Sequence, residues 1–267
     1  MELSGSHILL TGASSGIGAA LARQLAEAGA TLGLVARRAD RLEEVVTDCR
    51  VHSPDSRFWP VDLSDLADAE AVVHEAWDAF GGLDALINNA AMPMRRPVAE
   101  LTADAVDEVM NLNFASPMRM GQAALPRMLE RGSGLIVNVS SMGGRIPIAH
   151  EAAYCAAKYA LAGWSENSAL DLAQDPVDIK LILPGPIDTE IWDVPDNVET
   201  VYEGEMVSAD ECAAGIMEAM VDDGFEYYVP PVFPGDIDAK NLAIQKTTDC
   251  DAFIDLIAEV AAAAGDD

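Results

Sequence analysis

Along the chain, short runs of β-branched and apolar residues alternate with longer stretches in which apolar positions recur at helical spacing. The first run is 7–11, followed by helical spacing over 17–28, a second run at 31–36 and helical spacing again over 39–50. Further strand-like runs lie at 58–61, 85–88, 135–139, 179–183 and 227–229, about seven strands at ordinary lengths. Strands alternating with helices predict an α/β fold built on a parallel sheet with helices on both faces. Capping side chains mark helix starts: Ser64 before 65–79, Thr102 before Ala103, and Ser208 with Glu211 in a capping box.

No linker or internal repeat divides the first 230 or so residues. The composition changes at Val229-Pro230-Pro231-Val232-Phe233-Pro234-Gly235, which predicts a domain over 1–235 and a tail over 236–267. In that tail Phe253, Ile254, Ile257, Ala258 and Ala261 fall at helical spacing, with Gly265 as the C-terminal cap. The tail reads as a helix docked on its own subunit or on a neighbouring one.

Composition narrows the function. The 267 residues hold 16 Lys+Arg against 45 Asp+Glu, a net charge of −29, which argues against nucleic acid or an anionic membrane as partner. With 50% hydrophobic residues the chain can bury a large single core. Cys49, Cys155, Cys212 and Cys250 are widely spaced, so neither a disulfide framework nor a metal site is expected, and a reducing cytoplasm fits. The N-terminus lacks a basic region and a long apolar core, which predicts no signal peptide, and no run is long enough to span a membrane.

Thr11-Gly12-Ala13-Ser14-Ser15-Gly16-Ile17-Gly18 joins the first strand to the first helix. Glycines there let the backbone turn and approach a pyrophosphate, which rests on the free N–H groups of the helix start. The expected fold is therefore a Rossmann-type, doubly wound sheet. The same residues contain G-x-S-x-G, the nucleophile elbow of serine hydrolases. That reading fails because no histidine follows His150 and no further strand lies upstream of the first to supply a second oxyanion donor. At the end of the second strand the chain reads Ala36-Arg37-Arg38-Ala39-Asp40-Arg41, a local reversal of the global charge. Guanidinium groups match a 2′-phosphate, so Arg37 and Arg38 point to NADP(H), with NAD(H) as the alternative cofactor. The competing reading pairs Arg38 or Arg41 with Glu43 or Glu44 on the helix surface.

Tyr154 and Lys158 stand four residues apart and share a helix face. A cation beside a phenol favours the phenolate and moves its pKa toward neutrality. Ser141 lies thirteen residues before Tyr154, just past the strand at 135–139, at the sheet edge where such folds hold ligands. With the TGxxxGxG spacing over 11–18, Asn88-Asn89-Ala90, Asn113 in an Asn-Leu-Asn segment and Val139-Ser140-Ser141, the chain resembles the short-chain dehydrogenase/reductase family, over about residues 5–234.

The resemblance implies catalytic roles for Tyr154 as general acid/base, Ser141 on the substrate oxygen, Lys158 on the nicotinamide ribose and Asn113 on a relay water. It implies that Gly12, Ser14, Ser15, Gly16, Ile17, Gly18, Asn89 and Ala90 hold the cofactor, that Asp62 and Leu63 flank its adenine, and that Pro184, Gly185, Ile187 and Thr189 sit near its carboxamide. Ala91 departs from the family's usual glycine, and Ser15 stands where many NADP-using relatives carry a base. The implied substrate is an apolar carbonyl or secondary alcohol, in a pocket drawing on Met92, Met94, Met142, Ile146, Ile148, Ile191 and Trp192. His150 reads as a pocket group or a surface histidine, and Cys155 as a redox thiol or a small buried residue. Two other functions fit the motifs: an NADP(H) sensor without chemistry, and an elimination catalyst using the same tetrad. The family also implies a homodimer or homotetramer built on the helices matching 117–129 and 153–173.

Overall fold

Seven parallel strands make the central sheet of the computed structural model, which describes residues 1–200, 202, 204–233 and 236–264. They are β1 (His7–Thr11), β2 (Thr31–Ala36), β3 (Arg57–Pro60), β4 (Ala85–Asn88), β5 (Gly134–Val139), β6 (Val177–Pro184) and β7 (Glu226–Val229), in the order β3-β2-β1-β4-β5-β6-β7. Ile8 sits beside Leu32 of β2 and Ala85 of β4, so the strand order reverses at β1. The helices are α1 (Gly16–Glu27), α2 (Ala39–Cys49), α3 (Leu66–Phe80), α4 (Ala103–Met110), α5 (Ser116–Arg131), α6 (Ala152–Asp171), α7 (Ala209–Val221), α8 (Ala239–Thr248) and α9 (Cys250–Ala264).

Alternate side chains of each strand face opposite layers. Ile8, Leu10, Leu32, Leu34, Ile87 and Val137 pack with α1, α2 and α7. Leu9, Val35, Leu86 and Ile136 pack with α3 and α5, and Leu181 and Leu183 pack with Ala162 of α6 on that same side. Burial on both faces explains why the strands read as unbroken apolar runs. A polar chain runs through the second layer: Asn88 Nδ2 donates to Asn138 Oδ1 at 2.8 Å, and Asn138 Nδ2 to Ser165 Oγ at 2.9 Å. It fixes the register of β4 and β5 against α6 where their C-terminal ends meet the site.

Thr102 and the Ser208–Glu211 capping box cap their helices as expected. Ser64 does not cap α3: its hydroxyl bonds Asp62 Oδ1 at 2.8 Å, while Asp65 accepts from the amides of Ala67 and Asp68. A carboxylate is the stronger acceptor at a positive helix end and displaces the hydroxyl from that role. Helix α6 ends at Asp171, two residues short of the expected 173. The expected tail features at Pro234, Gly235 and Gly265 lie outside the described residues.

Candidate active site

The sheet reversal opens a cleft between the C-terminal ends of β1 and β4, the place where such sheets hold ligands. A threonine clip closes its base. Thr11 Oγ1 accepts from the amides of Asn89 at 2.9 Å and Ala90 at 3.0 Å, and Asn89 Nδ2 donates to the Thr11 carbonyl at 2.9 Å. The backbone turns at Gly12 (φ +69°), where a Cβ would meet Ala90 Cα at 2.9 Å and Asn89 Nδ2 at 2.8 Å. A Cβ at Gly18 would run into the Gly12 carbonyl. No side chain caps α1, so its first amides stay open toward the cleft.

The cleft is lined by Gly12, Ser14, Ser15, Gly16, Ile17, Gly18, Arg37, Arg38, Asp62, Leu63, Asn89, Ala90 and Thr189. The structure thus gathers thirteen of the sequence-derived cofactor residues on one surface. Arg38 donates to Ser15 Oγ at 2.6 Å and pairs with Glu190 at 2.9 Å, and Arg41 pairs with Glu190 at 3.0 Å. The competing surface pairing with Glu43 or Glu44 does not form; Glu190, in the segment after β6, is the partner of both Arg38 and Arg41. Hydrogen bonds from Arg38 and the charges of Arg38 and Arg41 hold the Glu190 carboxyl below its usual range. The Asp62 carboxyl is lowered by the Ser64 amide first, then by the Ser64 hydroxyl and the Arg37 charge.

An apolar cavity of about 330 Å³ continues from the cleft. Ser141, Tyr154 and Lys158 share its wall with Pro184, Gly185 and Ile187. Ser141 caps the turn after β5, accepting from Gly143 N at 3.0 Å, and its hydroxyl acts to lower the Tyr154 pKa. Lys158 is 2% exposed. Its Nζ lies 5.7 Å from the Tyr154 ring centroid and donates to the Val139 carbonyl at 3.0 Å. Burial lowers Lys158 to about 7 and raises Tyr154, with the Glu151 charge pushing the same way. Desolvation thus holds the phenol in its protonated form, against the direction expected from the lysine alone.

Asn113 is fully buried and tied to Met92 by paired bonds of 2.9 Å, Met92 N to Oδ1 and Nδ2 to Met92 O. It anchors the chain after β4 to the π-turn at Asn111–Ala115. Of the expected pocket residues, Met142, Ile146, Ile148, Ile191 and Trp192 line the cavity, and Met92 lines the cleft. Met94 does not: it is 6% exposed and packs with Val109, Ala153 and Ala157. Cys155 is buried and its thiol pushed up to about 12, chiefly by burial, the state of a small apolar side chain. His150 is exposed.

Five residues of the cavity wall are not singled out as pocket residues by the sequence, although Arg95 lies within the stretch 91–97 that the resemblance places there. Leu242 of α8 with Ile257 and Val260 of α9 line the cavity. Arg95, 3% exposed, donates to the carbonyls of Trp192 at 2.7 Å and Val198 at 3.0 Å and lies over the Trp192 ring. Glu151 also faces the cavity. The charge reversal that singled out Arg37 and Arg38 is repeated at Arg95-Arg96 and could have found the first of the two charged groups.

Comparison with known proteins agrees with this fold. Residues 6–198 match the family model described as short chain dehydrogenase. The chain is 36% identical over 195 residues to the mouse Dehydrogenase/reductase SDR family member 7, covering 71% of this chain but only 58% of the mouse protein. A short-chain dehydrogenase/reductase from Burkholderia phymatum in complex with NAD superposes with a TM-score of 0.79 at 25% identity, over 86% of this chain and 91% of that one. A short-chain dehydrogenase from Sphingobium yanoikuyae in complex with NADPH gives 0.79 at 29% identity, over 91% and 95%.

Proposed function

The chain belongs to the short-chain dehydrogenase/reductase family, and from that premise we propose that it is an NADP(H)-dependent oxidoreductase acting on an apolar carbonyl or secondary alcohol. One observation carries the reading: Ser141, Tyr154 and Lys158 converge on the wall of an apolar cavity that opens into the glycine-lined cleft. The cleft fits a dinucleotide, because its loop is packed so closely that neither Gly12 nor Gly18 has room for a Cβ and the α1 amides have no side-chain cap. Arg37 and Arg38 would hold the 2′-phosphate, Asp62 and Leu63 the adenine, and Thr189 and Ile187 the carboxamide. When bound, the nicotinamide supplies or accepts the hydride.

The protein's own part is positioning and proton transfer. Tyr154, kept protonated by burial, donates its hydroxyl proton to the carbonyl oxygen as the alcohol forms, and recovers it in the reverse direction. The Ser141 hydroxyl polarises the same oxygen. Lys158 supplies positive charge under the phenol once protonated, and the Asn113–Met92 bonds hold the cleft wall at Met92 in place. Arg95 pins the segment after β6 over the cavity, which excludes water. We read 1–235 as the catalytic domain and the tail helices as part of its substrate wall. We place the protein in the cytoplasm, and the family's assembly on the helices matching α5 and α6 would give a homodimer or homotetramer.

The test is NADPH and NADH consumption across a panel of ketones, aldehydes and quinones, with Tyr154→Phe as control. NADPH loss that requires Tyr154 supports the reading. Cofactor binding without turnover, in either direction of the assay, would overturn it in favour of a sensor.

A further inference from the structure

Two charged side chains face the apolar cavity without a place in the proton-transfer machinery. Glu151 is 7% exposed and Arg95 3%, and both line the cavity. Their positions are built. The Arg96 amide donates to the His150 carbonyl at 2.7 Å, stitching the segment after β4 to the residue before Glu151. His150 itself is held at φ +63°, a left-handed conformation that costs a β-carbon residue energy and gathers at functional sites. Glu151 then starts α6 one turn before Tyr154, close enough that its charge raises both Tyr154 and Cys155.

Among the described residues, no hydrogen bond reaches the Glu151 carboxylate. Arg95 is its charged neighbour but directs Nε, Nη1 and Nη2 to the carbonyls of Val198, Ile191 and Trp192. No ion pair within 4.0 Å joins the two. A buried carboxylate without a partner is costly, and burial raises Glu151 to about 7. The cavity wall combines Ile146, Ile148, Ile191 and Trp192 with the hydroxyls of Ser141, Tyr154, Thr200 and Tyr202, and no hydrogen bond joins any of these to the carboxylate. Its acceptor oxygens are therefore open to whatever fills the cavity.

We propose that Glu151 determines substrate specificity, its carboxylate accepting a hydrogen bond from a hydroxyl of the substrate, so that the preferred substrates are apolar hydroxy-ketones and the diols they form. This rests on the oxidoreductase reading of the same site. A protonated amine is the other donor a carboxylate takes, and the nearby Arg95 guanidinium disfavours a second cation in the cavity.

The test titrates NADP⁺-loaded protein calorimetrically with cyclohexanone and decalone, each with and without one hydroxyl stepped around the ring, and with the matching amines. Oxidised cofactor cannot reduce the ketones, and each added hydroxyl is placed on a methyl-bearing carbon, with the methyl ketone as its parent; a tertiary alcohol has no hydride to give, so affinity alone is read. At least one hydroxylated isomer should bind about 10- to 100-fold tighter than its parent ketone, the range for a hydrogen bond to a charged group. Glu151→Ala should erase that ratio, and Glu151→Gln, of the same shape and with one acceptor oxygen left, should restore part of it. Circular dichroism melting of each variant confirms folding. A ratio near one in the unaltered protein, a preference that survives Glu151→Ala, or tighter binding of the amines overturns the proposal. Failure of NADP⁺ and NADPH to bind would sink the oxidoreductase reading separately, and the same titrations on cofactor-free protein would still decide the role of Glu151.

Discussion

Arg38 and Glu190 meet at 2.9 Å across the mouth of the cofactor cleft, joining the start of α2 to the segment after β6. The pair is partly exposed, at 43% and 49% of their side chains, so it contributes little to stability. Its consequence lies in binding, since Glu190 occupies the guanidinium that a 2′-phosphate would use. Glu190→Gln should therefore tighten NADPH about two- to fivefold and leave NADH nearly unmoved, as measured by cofactor fluorescence titration. Weaker NADPH binding in the variant would mean that Glu190 positions the arginines rather than competing for them.

Replacing both Arg37 and Arg38 with alanine acts in the opposite sense. NADPH affinity should fall by about 10- to 100-fold, the loss expected for charge-assisted contacts, with a much smaller change for NADH. Equal losses would assign the arginines to the shape of the loop, through the Arg38 bonds to Ser14 and Ser15.

Removing the Tyr154 hydroxyl as phenylalanine should lower kcat by roughly 10²- to 10⁴-fold, the usual worth of a positioned general acid. NADPH affinity and melting temperature should stay close to those of the unaltered protein. Turnover retained within a factor of about three would remove Tyr154 from the chemistry.

Gly18→Ala places a methyl against Asn89 Nδ2, at 2.7 Å, and against the Gly12 carbonyl. Backbone must move, at a cost of about 1–3 kcal/mol, and the cradle is lost with it. Thermal melting should show the destabilisation, and NADPH titration should show no saturable binding. Ordinary affinity in this variant would mean that the dinucleotide lies elsewhere.

Glu151 gives a pH dependence with a definite sign. Its carboxyl sits near 7 in the folded chain against an ordinary 4.5, facing Arg95, Tyr154 and Cys155. Between these values the folded state holds the extra proton, so this group's contribution is fully present below about 4.5 and is lost as pH rises to 7. Relative to the unaltered protein, Glu151→Gln should gain stability over that window, by on the order of 3 kcal/mol, and gain nothing further above it. Urea unfolding of both proteins from pH 5 to pH 8 measures it. A difference that does not change with pH would place the carboxyl in solvent.

Much of the fold was legible because it depends on local chemistry. Runs such as Ile8-Leu9-Leu10 and Leu86-Ile87 have apolar residues at both parities, which only a strand covered on both sides can bury. The glycine loop and the spacing of Tyr154 and Lys158 follow from turn and helix geometry within a few residues. Asp65 takes the capping place expected of Ser64 because the two compete for one helix start, and the carboxylate wins it while Asp62 takes up the Ser64 hydroxyl. Met94 was misplaced because a thioether after β4 suits a cavity and a core equally, and the packing of Val109 and Ala153 against it made the choice.

Short-range periodicity and motifs at fixed spacing were enough for the doubly wound sheet, the glycine-lined cleft and the placing of Ser141, Tyr154 and Lys158 on one wall. Tertiary structure alone decided that Arg38 meets Glu190, that Glu151 and Arg95 share a cavity, and that α8 and α9 complete its wall. These residues are far apart in the chain, and a charged side chain carries no mark of its partner until folding removes the water between them.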